Sequence, residues 1–527
     1  MSKSLQNISA VASATVVSRV LGLVREMAQA AVFGTGALNS AFTAAFTLPN
    51  LFRRLLGEGA LTAAFVPTMS EALAQQRRDG AFILISKVAS WLLVVTLLIV
   101  GGAMLLLTQA GALARLAGVT PGSEALPRLL LGAELALMLF PYMVFVCLAA
   151  AFSAACQVLG RFREPAWSPV WLNCCILAAL GAGAWLAWGD TARMNLLCVG
   201  VLAGGFLQMA VPAAVLWREG WRPGFDLQVD DRMRQIVRLM GPTVISSAIY
   251  LINMAVSRLV GLSLNDNAAA VLNLATRVME LPIGVFTIAV ATVVFPLIAG
   301  HAARQDWAQL AADYHRGLRF VLIINVPAAA GLVLLSEPVT RLLFERGQFA
   351  ATDTALMTPV LAVCALGLPF ISHVSLALRA FYALKDTSTP VRAAALSFVV
   401  NLGLSLLLMR WWGTVGLAAA GRLAVVVQSL YLQAKLTGKQ SGLGLFPLLA
   451  DLGKILVATL VMAALTWAGA RGLAAAGLPG KAGDWLVVLG LIPLSAAAYG
   501  AALWMLKVNG REEVLQLLRR KSRGAAQ

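Results

Sequence analysis

The chain has 527 residues, of which 60% are hydrophobic and 12% are charged, and its formal net charge is +17. Soluble domains carry about 25% charged residues, so this composition excludes a water-soluble globular protein of this length. The basic excess does not indicate a nucleic-acid partner, because most basic residues lie in loops between apolar runs, as the cytoplasmic loops of membrane proteins require.

Apolar runs long enough to cross a hydrocarbon core about 30 Å thick recur along the chain. No cleavable signal peptide is expected, because the first apolar run contains Arg19 and Arg25. The runs predict about fourteen membrane-spanning helices. In chain order they are placed at residues 9–33, 40–73, 82–109, 127–155, 166–188, 195–217, 237–263, 267–300, 316–335, 353–383, 391–411, 413–435, 451–473 and 484–507.

The distribution of Lys and Arg predicts the orientation. With the N-terminus inside, the inner loops and tails hold about 25 of these residues and the outer loops about 8. This asymmetry predicts that both termini lie in the cytoplasm and that the number of spans is even.

An internal repeat divides the predicted helices. The segment Val17–Leu23 returns as Val256–Leu262, and Phe65–Pro67 is matched by Val294–Pro296. This spacing predicts two six-helix halves in the same orientation, with a site between them. The predicted division is residues 1–225 for the N-terminal half, 226–440 for the C-terminal half, and 441–527 for two extra helices and a basic cytoplasmic tail. The predicted fold class is therefore an all-α polytopic membrane protein.

Arginines inside the predicted spans are the most informative residues. A charge at a helix centre costs at least about 2.5–3.5 kcal/mol, so it normally faces a cavity or a partner. The arginines are Arg19, Arg25, Arg53, Arg54, Arg258, Arg277, Arg379 and Arg422, and the nearby acids are Glu26, Glu58 and Glu280. Arg54 and Glu58 are spaced i,i+4 and Arg277 and Glu280 i,i+3, so each pair can form within one helix. A structural role is favoured for Arg379 and Arg422.

The excess of arginine over acid predicts a cationic cavity for an anionic substrate, since guanidinium groups bind phosphate oxygens in a bidentate manner. The expected substrate-binding residues are Arg19, Arg25, Arg53, Arg54, Arg277 and Asn50, with Glu26, Glu58 and Glu280 as charge partners or gating residues. Asn50 lies in a helix that Gly57 and Gly59 are expected to interrupt, and its amide could bind either a sugar or a backbone group freed by the interruption.

Enzymatic chemistry is not expected. The three histidines are scattered, the six cysteines show no metal-binding spacing, and the Walker phosphate-binding motif is missing from the sequence. We therefore predict no catalytic residues, no metal and no cofactor.

Several segments, in order, resemble the lipid II flippases known as MurJ or MviN. They are Ser18–Gly22 with Arg25-Glu26, Leu48–Arg54 with Glu58–Ala60, Phe65–Pro67, Arg277–Pro282 and Phe381–Pro390. The resemblance covers nearly the whole chain. It implies a fourteen-helix fold of the multidrug/oligosaccharidyl-lipid/polysaccharide exporter type in the bacterial inner membrane.

The resemblance also implies a function. Such a protein would carry lipid II, the undecaprenyl-pyrophosphate-linked disaccharide pentapeptide, from the cytoplasmic to the periplasmic leaflet by alternating access. By position, Arg19, Arg25, Arg53 and Arg277 would hold the pyrophosphate and the peptide carboxylates, and Glu58 would tune or gate the site with Glu280. The last two helices would form a groove for the polyprenyl tail among the membrane lipids. Ser40 and Thr276 stand where family members often carry acids, which argues against coupling through those carboxylates.

Two other transport functions stay open on the sequence alone. A flippase for another polyprenyl-pyrophosphate-linked glycan would need the same cationic site. A drug/cation antiporter is less favoured, because it would need an acid inside the membrane and the buried charge here is mainly positive. The oligomeric state is left open.

Overall fold

Apolar segments that cross a membrane must satisfy their backbone hydrogen bonds internally, and helices do so within one segment. The computed structural model describes residues 3–52, 61–475 and 481–509, and all regular structure in these ranges is helical. The first ten helices are α1 Lys3–Phe33, α2 Ala37–Phe52, α3 Leu61–Thr108, α4 Ala110–Leu116, α5 Ala125–Leu139, α6 Tyr142–Val158, α7 Arg163–Trp185, α8 Asp190–Arg218, α9 Asp231–Leu264 and α10 Ala268–Pro282. The others are α11 Ile288–Ala303, α12 Trp307–Leu334, α13 Ser336–Phe344, α14 Ala351–Leu366, α15 Leu368–Ala383, α16 Ser388–Lys439, α17 Leu449–Ala475, α18 Lys481–Leu486 and α19 Ile492–Met505.

Among the described residues, seven helical segments are long and apolar enough to cross a membrane, or up to nine if each of two bent helix pairs is one span. The bent pairs are α5 with α6, at 45°, and α14 with α15, at 40°. The predicted all-helical polytopic membrane fold is confirmed. The number fourteen is consistent with these segments and stays a prediction.

One predicted break is wrong. The spans predicted at 40–73 and 82–109 place a break around Gly80, but α3 runs through it, since one glycine costs a helix only about 1 kcal/mol relative to alanine. The span predicted at 127–155 is instead bent after Leu139, where Pro141 lacks the N–H that would continue the helix.

The predicted break near Gly413 is confirmed. Gly413 has φ +52° and ψ −128°, a conformation that glycine adopts without the steric cost that a side chain would bring. The two arms of α16 fold back on each other, because the Lys439 Nζ at the end of α16 lies 3.0 Å from the Asp386 carboxylate that precedes its start.

The chain divides into two compact units, Met1–Ala270 with Arg346–Phe349 and Val271–Glu345 with Ala350–Gln527. The predicted three-part division, with boundaries after residues 225 and 440, stays a prediction.

Within the first unit, α7 and α8 pack closely through small residues. A Cβ added at Gly200 would lie 2.7 Å from the Cβ of Ala179, and one added at Gly204 would lie 2.9 Å from the Cα of Leu172. This spacing of small residues allows the two backbones to approach each other, as in other membrane helix pairs. The α7–α8 pair also contacts α1 through α7.

Within the second unit, α12 is the central element. Its Tyr314 is fully buried against Phe381 of α15 and Leu432 of α16. The C-terminal helices pack on the other part of α12, where the Tyr499 hydroxyl donates to the Ile323 carbonyl at 2.7 Å. The last helices therefore fold as part of this unit.

Candidate functional site

The packing of α1 along α7 joins Arg25 to Asn173. Arg25 Nη1 donates to Asn173 Oδ1 at 3.2 Å, and Asn173 Nδ2 donates to the Ser18 carbonyl at 3.3 Å. One amide side chain therefore holds the guanidinium group and the backbone of the preceding helical turns together. Asn173 is itself buried, so the arrangement is part of the helix interface rather than a surface contact.

Arg25 also forms a buried ion pair with its neighbour. Its Nη2 lies 2.6 Å from the Glu26 carboxylate, and only 8% of Arg25 and 4% of Glu26 are exposed. The Arg25 Nε–H is buried and has no hydrogen-bond partner among the described residues. A buried donor of this kind costs about 1–3 kcal/mol unless it is satisfied, so this edge of the guanidinium group is suited to an acceptor oxygen.

Arg19 lies on the same helix but takes no part in the buried Arg25–Glu26 ion pair. It is exposed, and in the described part of the chain it makes no ion pair. Six residues separate it from Arg25, which corresponds to about 9 Å along a helix. The structure therefore brings Arg25, Glu26 and Asn173 together and leaves Arg19 to one side.

Arg277 and Glu280 lie on α10, in the second unit. Their side chains pair at 2.8 Å and are 32% and 45% exposed, respectively. The predicted i,i+3 pairing within one helix is confirmed. The helix ends at Pro282, and a π-helical turn, Ile283–Thr287, follows it. Such turns are frequent at functional sites.

Of the remaining predicted residues, the structure describes Asn50. Asn50 is half-buried, two residues before α2 ends at Phe52. Arg53, Arg54 and Glu58 lie outside the described residues, as do the predicted interruptions at Gly57 and Gly59.

Ser40 has a structural role in the first unit. Its hydroxyl accepts a hydrogen bond from the Ala270 N–H at 3.2 Å and donates to the Thr35 carbonyl at 3.3 Å. Ala270 is in the first turn of α10, where backbone N–H groups have no partner within the helix. Asn267 reinforces this connection by donating to the Thr35 hydroxyl at 2.7 Å. A neutral hydroxyl at position 40 is therefore sufficient to pair with the Ala270 N–H at the start of α10.

Asn173 is the member of this buried cluster that sequence reasoning missed. It lies in the apolar run of α7, and asparagine within such a run usually forms a hydrogen bond to another helix. That signal was present, but it does not identify the partner. No group of three or more His, Cys, Asp or Glu side chains suited to a metal occurs in the part of the chain that the structure describes.

This fold and site define a class: a multi-pass membrane protein whose regular structure in the described residues is all helical, with an arginine buried at a helix interface. Such intramembrane charges typically mark a transport pathway. A model of the family described as lipid II flippase MurJ matches residues 29–481, and the chain belongs to that family.

The relatives agree with this assignment. A probable lipid II flippase MurJ of Rhizobium meliloti (strain 1021) is 33% identical over 534 residues, covering 99% of this chain and 97% of the relative. A solved structure of the lipid II flippase MurJ in an inward closed conformation matches with a TM-score of 0.76 at 23% identity, covering 96% of this chain and 99% of that one. An inward-facing MATE family multidrug resistance transporter of the MOP superfamily matches with a TM-score of 0.64 at 14% identity, covering 80% of this chain and 96% of the other. Both structural matches concern the fold.

Proposed function

We propose that this chain is a flippase that moves lipid II from the cytoplasmic to the periplasmic leaflet of the bacterial inner membrane by alternating access. Membership of the family supports this substrate, and the relative from Rhizobium meliloti is described as a probable flippase of the same lipid. Translocation makes and breaks no covalent bond, so the protein acts as a transporter and not as an enzyme.

The observation that carries the proposal is the state of Arg25. Asn173 and Glu26 hold its two terminal nitrogens, while its buried Nε–H has no partner among the described residues. The pyrophosphate of a lipid-linked precursor supplies anionic oxygens that form strong, charge-assisted hydrogen bonds with a guanidinium group. In the empty protein, Glu26 compensates the Arg25 charge, which would otherwise be buried at a high cost.

We assign the other predicted residues to the same substrate. Arg277 is about one-third exposed and paired with Glu280, so an entering phosphate or carboxylate can compete with Glu280 for it. We assign Arg19, Arg53, Arg54 and Asn50 to further contacts with the head group, and Glu58 to gating. The orientation, with both termini in the cytoplasm, is part of the same proposal and follows from the loop charges.

Complementation tests the function and the site together. A bacterial strain depleted of its own lipid II flippase would express the wild-type chain, Arg25→Ala, Arg277→Ala or Arg234→Ala at matched membrane levels. Arg234 is the matched control, because it is an exposed arginine at the start of α9 that pairs with Asp231. We expect growth with the wild type and Arg234→Ala, and no growth with the other two variants.

The possible failures are distinguishable. If the wild-type chain inserts but does not restore growth, the substrate is wrong, and another polyprenyl-linked glycan becomes the leading alternative. If Arg25→Ala and Arg277→Ala both restore growth fully, the substrate stands and the arginine site is wrong. Arg25→Lys adds a finer test: it keeps the charge but loses the Nε–H and the planar guanidinium geometry, so weak growth would indicate that this geometry is required in addition to the charge.

A further inference from the structure

The segment between α8 and α9, residues 219–230, exposes apolar side chains although it has no helical structure after Gly220. Phe225 is 69% exposed, Leu227 37% and Val229 46%. Single exposed apolar residues are common on protein surfaces, but three at alternate positions of one extended segment form a continuous edge. The contacts that hold the segment determine which of its sides is left uncovered.

Polar side chains of α3 fasten the segment in place. Trp221 Nε1 donates to the Ser86 hydroxyl at 3.0 Å. One turn further along α3, the Ser90 hydroxyl accepts from the Asp226 N–H at 3.0 Å and contacts the Gly224 carbonyl at 3.4 Å. The tip of the segment therefore lies level with Ser90.

A buried lysine adds a charged attachment. Lys87 Nζ lies 2.8 Å from the Asp230 carboxylate and 3.9 Å from that of Asp226. Burial would raise the pKa of Asp230, but the hydrogen bonds that its carboxylate accepts from the Lys87 ammonium and the Met233 N–H outweigh burial and lower this pKa. The polar side of the segment is thus committed to α3, which leaves the apolar side chains directed outward.

The sequence of α3 places this tip at the edge of the membrane. After Ser90, α3 continues from Trp91 to Thr108 without a charged residue. Eighteen residues at 1.5 Å each span about 27 Å, close to the hydrocarbon thickness of about 30 Å. Counted back from the end of α3 at Thr108, one boundary of the hydrocarbon core therefore lies near Trp91, within the predicted span 82–109 and beside the point where the segment is attached.

The end of α8 marks the same boundary independently. Trp217 is exposed in the last turn of this span, and the Arg222 guanidinium carbon lies 4.6 Å from the centroid of its ring. Tryptophan rings and basic residues concentrate at the level of the lipid head groups. Arg218 is also exposed here, so the apolar edge has a basic and aromatic rim.

We infer that residues 219–230 form an interfacial anchor that binds anionic phospholipids. Phe225, Leu227 and Val229 insert at the boundary between head groups and acyl chains, while Arg218 and Arg222 bind the lipid phosphates. With the orientation proposed above, this is the cytoplasmic leaflet. The depth suits the backbone, since irregular chain is excluded from the hydrocarbon core but tolerated at its edge.

Site-specific fluorescence in lipid vesicles tests the insertion. The full-length protein would carry Cys174→Ser and Cys175→Ser, which removes the cysteines that are not buried. An environment-sensitive probe would then be attached through Phe225→Cys or, as the matched control, through Asp231→Cys at the fully exposed start of α9. We expect blue-shifted emission at position 225 that brominated phospholipid quenches and aqueous iodide does not, with the opposite pattern at position 231.

Two results would overturn the insertion. Quenching at position 225 by iodide, as strong as at position 231, would place the segment in water. A blue-shifted probe that neither quencher reaches would mean that protein, rather than lipid, covers the edge.

The lipid charge is tested separately, by the thermal unfolding midpoint in phosphatidylcholine vesicles with and without phosphatidylglycerol. We expect the anionic lipid to raise the midpoint of the wild type and of Arg234→Gln, and Arg222→Gln to lose most of that rise. An undiminished rise for Arg222→Gln would exclude the proposed phosphate contact. Because both measurements are independent of transport, they do not depend on the identity of the flipped lipid.

Discussion

At the scale of single residues, the arrangement around Arg25 separates two tasks. Asn173 and Glu26 position the guanidinium group, whereas the Nε edge is directed to a ligand in the proposed mechanism. Asn173 touches no substrate in this scheme and is a positioning residue. Its loss should therefore alter transport without removing any charge from the protein.

We predict that Asn173→Ala slows translocation by about tenfold, because a hydrogen bond to a charged group contributes about 1.5–3 kcal/mol. The measurement is the initial rate at which a labelled lipid-linked head group becomes accessible across proteoliposomes. Asn195→Ala is the control, since Asn195 is exposed on the adjacent α8. An unchanged rate for Asn173→Ala would show that Arg25 is held without it.

Sequence reasoning identified two of the three residues in this cluster. Arg25 and Glu26 were predictable because charges are rare inside apolar runs and normally have a function or a partner there. Asn173 was not, because its role depends on α7 packing beside α1, a contact between residues 148 positions apart that no local pattern records.

At the scale of elements, Asp386 joins the two arms of α16. Its carboxylate accepts from the Thr389 hydroxyl at 2.6 Å, from the Ser388 and Thr389 N–H groups at 3.0 Å each, and from Lys439 at 3.0 Å. Burial alone would raise the pKa of Asp386, but the hydrogen bonds from Thr389, Lys439 and Ser388 outweigh it and hold this pKa well below the usual aspartate range. The carboxylate closes the helical hairpin whose other end is the turn at Gly413.

The lowered pKa predicts a specific pH dependence of stability. Because the folded protein binds the proton of Asp386 less readily than the unfolded chain does, its contribution is present above the unfolded pKa and is lost as the pH falls through that value towards the folded one. We predict that Asp386→Asn lowers the thermal unfolding midpoint at neutral pH. The gap from wild type should stay constant down to about pH 5 and narrow below about pH 4.

The control for this measurement is Asp231→Asn, at an exposed aspartate that pairs only with Arg234 on the surface. Its gap from wild type should be small at every pH, because exposed ion pairs contribute little. A gap for Asp386→Asn that does not narrow in acid would assign the stabilisation to the shape of the side chain and not to its charge.

The helix boundaries show which local signals decide an element. The break predicted between the spans 391–411 and 413–435 was correct, because Gly413 has a backbone conformation that suits glycine alone. The break predicted around Gly80 was wrong, because the neighbouring residues continue the helix and only the low helix propensity of the glycine itself disfavours it. The bends of α5 with α6 and α14 with α15 were not predicted, as hydropathy records that a segment is apolar but not whether it is straight.

At the scale of the whole molecule, composition alone was sufficient for the class. With 60% hydrophobic and 12% charged residues, no arrangement of this chain could cover itself with polar surface. Family membership then restricts the transport function, while the orientation rests on a different physical argument, the excess of Lys and Arg in alternate loops. That argument can be checked without any assumption about the substrate.

We predict that a fluorescent protein fused after Gln527 is fluorescent in the bacterial cytoplasm and that alkaline phosphatase fused there is inactive. The matched fusion follows Leu186, in the loop between α7 and α8, where the proposed orientation requires active alkaline phosphatase and a dark fluorescent protein. The reverse pattern at both positions would invert the protein. It would then assign the basic loops to the periplasm and place the Phe225 anchor in the outer leaflet. If the fusions at Leu186 and Gln527 gave the same reporter pattern, both positions would lie on the same side of the membrane. The number of membrane crossings between them would then be even, whereas the predicted helices require an odd number.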